Sequence, residues 1–110
     1  MVMYSRMRKK VDIINMISKT VHDTEPLAQA YLFGSRARGD AKKKSDWDVV
    51  VIVDSPKVTD EQFKVLNYEL WEKGLELGEE INTILYTREQ WENARPTLFQ
   101  HNILKEGVKL

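Results

Sequence analysis

Apolar positions along this chain change period several times, and the changes divide it into alternating helices and strands. Met7, Val11, Ile14, Ile17 and Val21 recur at intervals of three and four, which predicts an amphipathic helix over 6–23. It must stop before Pro26, because the residue before a proline avoids the α region. Residues 28–33 are short, apolar and aromatic and end at Gly34, the pattern of a buried strand. Residues 34–44 are polar and carry two glycines, which predicts a loop with one helical turn at most. Residues 47–53 read Trp-Asp-Val-Val-Val-Ile-Val, the strongest strand signal present, and their near-continuous apolar character implies burial on both faces.

Thr59-Asp60-Glu61-Gln62 is a capping box, and Phe63, Leu66, Leu70 and Leu77 continue one face of a helix over about 60–76. Gly74 and Gly78 are its candidate terminators. Residues 81–86 predict a third strand. Thr87-Arg88-Glu89-Gln90 is a second capping box, opening a short helix that ends by Pro96. Pro96 then falls where the first turn of a last helix tolerates it, and that helix ends near Gly107. Val108-Lys109-Leu110 is left as a tail or short edge strand. The order predicts an α/β fold, a small mixed sheet of three or more strands flanked by helices, as a single domain over 1–110. Strand directions stay open at this level.

Composition narrows the function classes. With 42% hydrophobic and 31% charged residues the chain resembles an ordinary globular protein. It has no Cys, which excludes disulfides and thiolate metal sites. No apolar run approaches the roughly 18 residues of a membrane span, and no signal-peptide stretch follows the N-terminus, so a cytoplasmic location without membrane association is expected. Seventeen basic residues balance seventeen acidic ones. That balance argues against direct binding of a long nucleic acid, which normally needs a basic excess. Arg36, Arg38, Lys42, Lys43 and Lys44 nevertheless cluster, and a local basic cluster in a neutral chain suits a small anion.

The chemistry concentrates in two short runs. Asp46 and Asp48 flank Trp47 at the start of the strongest strand, so alternation puts both carboxylates on one side, about 7 Å apart. Taken alone, Asp-x-Asp reads as turn punctuation. Paired with a cation, it is a hard-oxygen site suited to Mg²⁺, which also takes phosphate oxygens as ligands. The preceding loop changes the weight. Gly34 lets backbone approach a ligand closely, Ser35 adds a hydroxyl and an N–H, and Arg36 and Arg38 are potential bidentate phosphate donors. Gly-Ser, ten residues, then Asp-x-Asp, each half at a strand edge, is a far stronger signal than either half.

In these residues the chain resembles the polymerase-β-type nucleotidyltransferases. It is most similar to their smallest prokaryotic members, the minimal nucleotidyltransferases encoded beside HEPN-domain proteins. The resemblance rests on Leu32-Phe33-Gly34-Ser35-Arg36-Ala37-Arg38-Gly39-Asp40 and Ser45-Asp46-Trp47-Asp48-Val49-Val50-Val51. Thr83-Ile84-Leu85-Tyr86-Thr87 and Ile103-Leu104-Lys105-Glu106-Gly107-Val108 extend it over most of the chain. It implies a polymerase-β-type fold, with Gly34 and Ser35 holding the β- and γ-phosphates of ATP. Arg36 and Arg38 would assist, with Arg38 as an alternative brace for the loop. Asp46 and Asp48 would be the catalytic residues and would bind Mg²⁺ or Mn²⁺, while a hydroxyl attacks the α-phosphorus. The acceptor would be a side chain of a HEPN-domain toxin, with this chain as antitoxin.

One position departs from the family pattern. Many members carry a third carboxylate on the next strand, where this chain has Asn82, a neutral ligand that cannot act as a base. Glu80, two residues earlier, would supply the charge if the strand began early enough. Two other readings stand beside transfer to a partner protein: a catalytically weak subunit that neutralises its partner by contact, which Asn82 supports, and a small-molecule nucleotidyltransferase of the antibiotic-modifying type. His22 and His101 read as surface or satisfied residues. Met7, Met16, Trp71 and Trp91 read as packing, with a partner interface as the alternative for the tryptophans.

Overall fold

The computed structural model describes residues 2–93 and 97–110. The chain runs α1 (Val2–Thr24), β1 (Gln29–Phe33), α2 (Ser35–Arg38), β2 (Trp47–Val53), α3 (Asp60–Glu76), β3 (Ile81–Thr87), α4 (Arg88–Asn93), α5 (Leu98–Glu106) and β4 (Val108–Lys109). The expectations placed on Pro96 lie outside the described residues. Among the described residues no helix is long and apolar enough to cross a membrane.

The strands form one mixed sheet in the order β3-β2-β1-β4. β1 runs antiparallel to β2 and to β4, whereas β2 and β3 are parallel. The parallel pair needs a crossover, which α3 supplies. The possible C-terminal strand does form, as a two-residue edge against β1.

β2 sits inside the sheet and is buried on both faces, as its β-branched run predicts: Val49, Val50, Val51 and Val53 are fully buried. Trp47, Val49, Val51 and Val53 face one way and pack with Ile13, Ile17 and Val21 of α1 and Leu66 and Leu70 of α3. The opposite face carries Asp48, Val50 and Ile52 by strand alternation. Its cover is smaller: α5 packs on β1, with Phe33 and Phe99 edge to face at 5.2 Å. α4 packs on β2 and β3, with Tyr86 and Trp91 at 5.4 Å. Asn82 and Ile84 of β3 remain exposed on this second face, so its end nearest Asp48 is open.

Local signals account for the helix starts. In α3, Thr59 Oγ1 accepts from Gln62 N, and Gln62 Oε1 accepts from Thr59 N. In α4, Thr87 and Gln90 exchange the same pair of bonds. The α3 face needs correction. Leu66 and Leu70 are buried, but Phe63 and Leu77 are exposed, as is Trp71 on the same helix. Helical periodicity identifies a face, but burial depends on what packs against it.

The two glycines proposed as terminators of α3 have different jobs. Gly78 adopts φ +75°, the left-handed conformation that ends helices. Gly74 is a buried contact where α3 meets β3. A Cβ there would lie 2.8 Å from Ile81 Cδ1 and 3.0 Å from the Glu79 carbonyl oxygen. Overpacking of this kind costs about 1–3 kcal/mol, against a helix-propensity gain of about 0.5–1 kcal/mol. Gly74→Ala is therefore expected to lower unfolding stability by about 1–2 kcal/mol in urea melts; an unchanged or raised midpoint contradicts the contact.

Candidate functional site

Gly34 is the pivot between β1 and α2. Its φ of +76° and ψ of −156° lie outside the range side chains accept, so a glycine is required where the chain turns from strand to helix. Its open α-carbon serves a second purpose. A Cβ there would sit 2.7 Å from Asp48 Oδ2, so the backbone bend and the carboxylate are in direct contact. Strand register produces this meeting, because Phe33 pairs with Asp48 across β1 and β2. Ser35 opens α2, and no side-chain hydrogen bond caps that helix.

Asp46, Asp48 and Asn82 come together on the same end of the sheet. Asp48 and Asn82 are partners in the parallel β2–β3 register. Asn82 Nδ2 donates to Asp46 Oδ2 at 3.1 Å, which brings the amide between the two acids. Glu80 lies just before β3, which opens at Ile81; its side chain is exposed and its carbonyl accepts from Trp47 N at 2.8 Å. The strand thus does not begin early enough to draw Glu80 into its face.

Partial burial, followed by the negative charge of Asp46, raises the pKa of Asp48 above the ordinary carboxylate value, and a hydrogen bond from Asn82 opposes the shift. A carboxyl whose folded pKa is raised binds its proton more tightly in the folded than in the unfolded chain. Its contribution to stability is present below the unfolded value and is lost as pH rises through the folded one. In metal-free buffer, Asp48→Asn is thus expected to melt at a higher temperature than the parent at about pH 7, with the gap closing toward about pH 4. A gap that is constant with pH, or reversed, contradicts this picture.

Two carboxylates and an amide make a hard-oxygen donor set. Mg²⁺ typically takes one or two carboxylates together with substrate phosphate oxygens, and the Asp46–Asp48 repulsion is what a cation would relieve. The donor chemistry fits Mg²⁺ or Mn²⁺, for which Asp46 and Asp48 would be the ligands; Asn82, whose amide nitrogen now faces Asp46, would have to turn its oxygen inward to join them. Among the described residues no group of three or more His, Cys, Asp and Glu is placed to hold a metal, because the third position is Asn82.

The two arginines divide in a way the sequence does not reveal. Arg36 is committed to the loop. Its Nη2 donates to the Ser45 carbonyl at 2.9 Å and the Lys43 carbonyl at 3.3 Å. Its guanidinium also lies 4.6 Å from the Trp47 ring centroid and 3.5 Å from Glu79. Arg36 thus braces the loop. Arg38 is half-exposed, donates to Asp40 at 3.2 Å, and lines a cleft of about 110 Å³ with Gly34, Phe33, Phe99 and Asn102.

Sequence reasoning passed over Glu79. Glu79 accepts from Trp47 Nε1 at 3.1 Å and pairs with Arg36 and Lys9, tying β2, α2 and α1 together beneath the loop. Its position after the helix-ending Gly78 and before β3 was the available signal. His22 faces the Leu110 carbonyl at 3.3 Å, and His101 is exposed on α5.

Comparison with known proteins agrees with this fold. The solved structures that share it include a pair at low sequence identity. One is a toxin–antitoxin crystallised with AMP-PNP, 24% identical with a TM-score of 0.60, the match covering 86% of this chain and 69% of that one. The other is a candidate nucleotidyltransferase from Sulfolobus solfataricus, 18% identical with a TM-score of 0.60, covering 94% and 83%. At these identities the likeness is one of fold. No curated protein is significantly similar in sequence. Residues 15–110, which include the glycine bend, both acids and the whole sheet, match the family described as Polymerase beta, Nucleotidyltransferase, and this chain belongs to that family.

Proposed function

We propose that the chain transfers AMP from ATP to a hydroxyl group of a partner protein, with Mg²⁺ or Mn²⁺ held by Asp46 and Asp48. One observation carries this reading: the Gly34 bend touches Asp48 on the face that also holds Asp46 and Asn82. A triphosphate lying on Gly34 and Ser35 would have its α-phosphorus directed toward the acids. The bound cation would offset the negative charge that repels an attacking oxygen. The acceptor oxygen would bond to the α-phosphorus as the bond to pyrophosphate breaks, with the acceptor proton lost and pyrophosphate leaving. Arg38, exposed beside Gly34, would bind phosphate oxygens, while Arg36 holds the loop that aligns Asp46.

A protein acceptor fits the open second face of the sheet, where exposed Asn82 and Ile84 adjoin the acids. The structural neighbour that is a toxin–antitoxin with AMP-PNP supports a partner of the toxin kind, and the resemblance to minimal nucleotidyltransferases supports a HEPN-domain protein. The test is to incubate the chain with a co-encoded all-helical partner, Mg²⁺ and ATP and to weigh the partner. A gain of one or more AMP masses supports transfer. Tight complex formation with no gain supports the second reading, a subunit that neutralises by contact, which Asn82 in place of a carboxylate favours.

Asn82→Asp separates these two readings. A third carboxylate beside Asp48 is expected to tighten Mn²⁺ binding by about tenfold or more in calorimetric titrations and to raise any transfer rate. Unchanged metal affinity would remove Asn82 from the metal site.

A further inference from the structure

Behind Trp47, on the face of β2 opposite Asp48, lies a cavity of about 300 Å³. Lys9 and Lys10 of α1 form one wall, and Lys42 and Lys43 of the loop form the other. Ile13 and the buried Trp47 lie at its base, with Arg36 and Glu79 beside them.

The charge in this cavity is unbalanced. Among the described residues Glu79 is its one lining carboxylate, and it is already engaged by Lys9, Arg36 and Trp47 Nε1. Among the described residues no ion pair joins Lys10, Lys42 or Lys43 to a carboxylate. Like charges held on facing walls repel, and a concave surface of one sign concentrates the opposite sign in solution. The loop wall is also fixed in place. Arg36 donates to the Ser45 and Lys43 carbonyls, Ser45 N donates to the Lys42 carbonyl at 3.0 Å, and Lys42 N donates to Ser45 Oγ at 2.8 Å.

We propose that this cavity binds a small polyphosphate, two or three linked phosphates, at a place distinct from the carboxylate face. Lysine ammonium groups are compact point charges with three donors each, suited to several separate phosphate oxygens. The small volume of the cleft and the chain's zero net charge favour a small anion over a nucleic-acid strand. The same group could arrive free or as the tail of a nucleoside diphosphate. This assignment is independent of the transfer reaction, since it uses neither Asp46 nor Asp48.

The test is calorimetric titration of tripolyphosphate and of ADP into the chain with EDTA present and no divalent metal. Saturable one-to-one binding is expected, weakening by about tenfold or more in the Lys10→Ala/Lys42→Ala/Lys43→Ala variant and less than about twofold in Ser35→Ala. Circular dichroism melts verify that each variant is folded. Equal affinity for the two ligands identifies a free polyphosphate, and tighter ADP a nucleotide tail. Absence of saturable binding overturns the proposal, as does binding that Ser35→Ala weakens and the lysine variant retains.

Discussion

Replacing Asp48 with alanine is expected to reduce AMP transfer by about three orders of magnitude or more while leaving the chain folded. Charge stabilisation by a metal at a phosphoryl centre is worth several kcal/mol, and each 1.4 kcal/mol is about tenfold in rate. Asp48 sits against Gly34, beside Asn82 in register and close enough to Asp46 for their charges to interact. Its loss would remove one of the two proposed metal ligands, the one against the Gly34 bend. The fold should survive, because a half-buried carboxylate facing another acid is a burden on the metal-free protein rather than a support. Transfer is followed by mass spectrometry of the partner, folding by thermal melting and complex formation by gel filtration. A variant that binds its partner normally and still transfers AMP at the parental rate would place the chemistry elsewhere.

Gly34→Ala is expected to cost both stability and nucleotide binding. The residue would hold φ at +76°, and its new methyl would meet Asp48 Oδ2 at 2.7 Å. Backbone strain of this sort costs about 1–3 kcal/mol, and the carboxylate must also move out of line. Nucleotide affinity should fall by more than about tenfold, since misplacement near 1 Å in a preorganised site is expensive. Gly39 supplies the control. Its φ is +86°, yet nothing lies within 4 Å of a Cβ added there. Gly39→Ala should therefore show the backbone cost of about 1–2 kcal/mol and retain affinity. Equal losses of nucleotide affinity in both variants would mean that strain alone, not the contact with Asp48, explains the first.

What could be read from sequence was what local chemistry decides. The run Trp47–Val53 is a buried strand because four valines and an isoleucine serve no other role so well. The two capping boxes form their reciprocal bonds because every partner lies within four residues. The structure places Asn82 beside Asp48 in the β2–β3 register. Tertiary packing decided the rest. No periodicity distinguishes Leu66, which is buried, from Phe63, which is half-exposed on the same helix. Arg36 and Arg38 look alike as phosphate donors until the loop folds back and gives Arg36 the carbonyls of Ser45 and Lys43. Glu79 acquires its role only when α1, α2 and β2 converge on it, and strand directions emerge only from the sheet itself.

The family assignment gives the second face of the sheet its meaning. On β2, alternation sends Trp47 into the core and leaves Asp48 on the face toward Gly34. α4 and α5 cover the far parts of that face and leave the acid end open. The same alternation explains why the lysine-lined cavity lies behind the strand, with Trp47 between it and the carboxylates.

The most direct measurement is a nuclear magnetic resonance titration of the labelled chain with Mg²⁺ and a non-hydrolysable ATP analogue, following backbone amides. The account predicts that the largest shifts fall on Gly34, Ser35, Asp46, Asp48 and Asn82 and require the metal. Signals in that region that stay unmoved at saturating analogue, or that move identically without Mg²⁺, would contradict it.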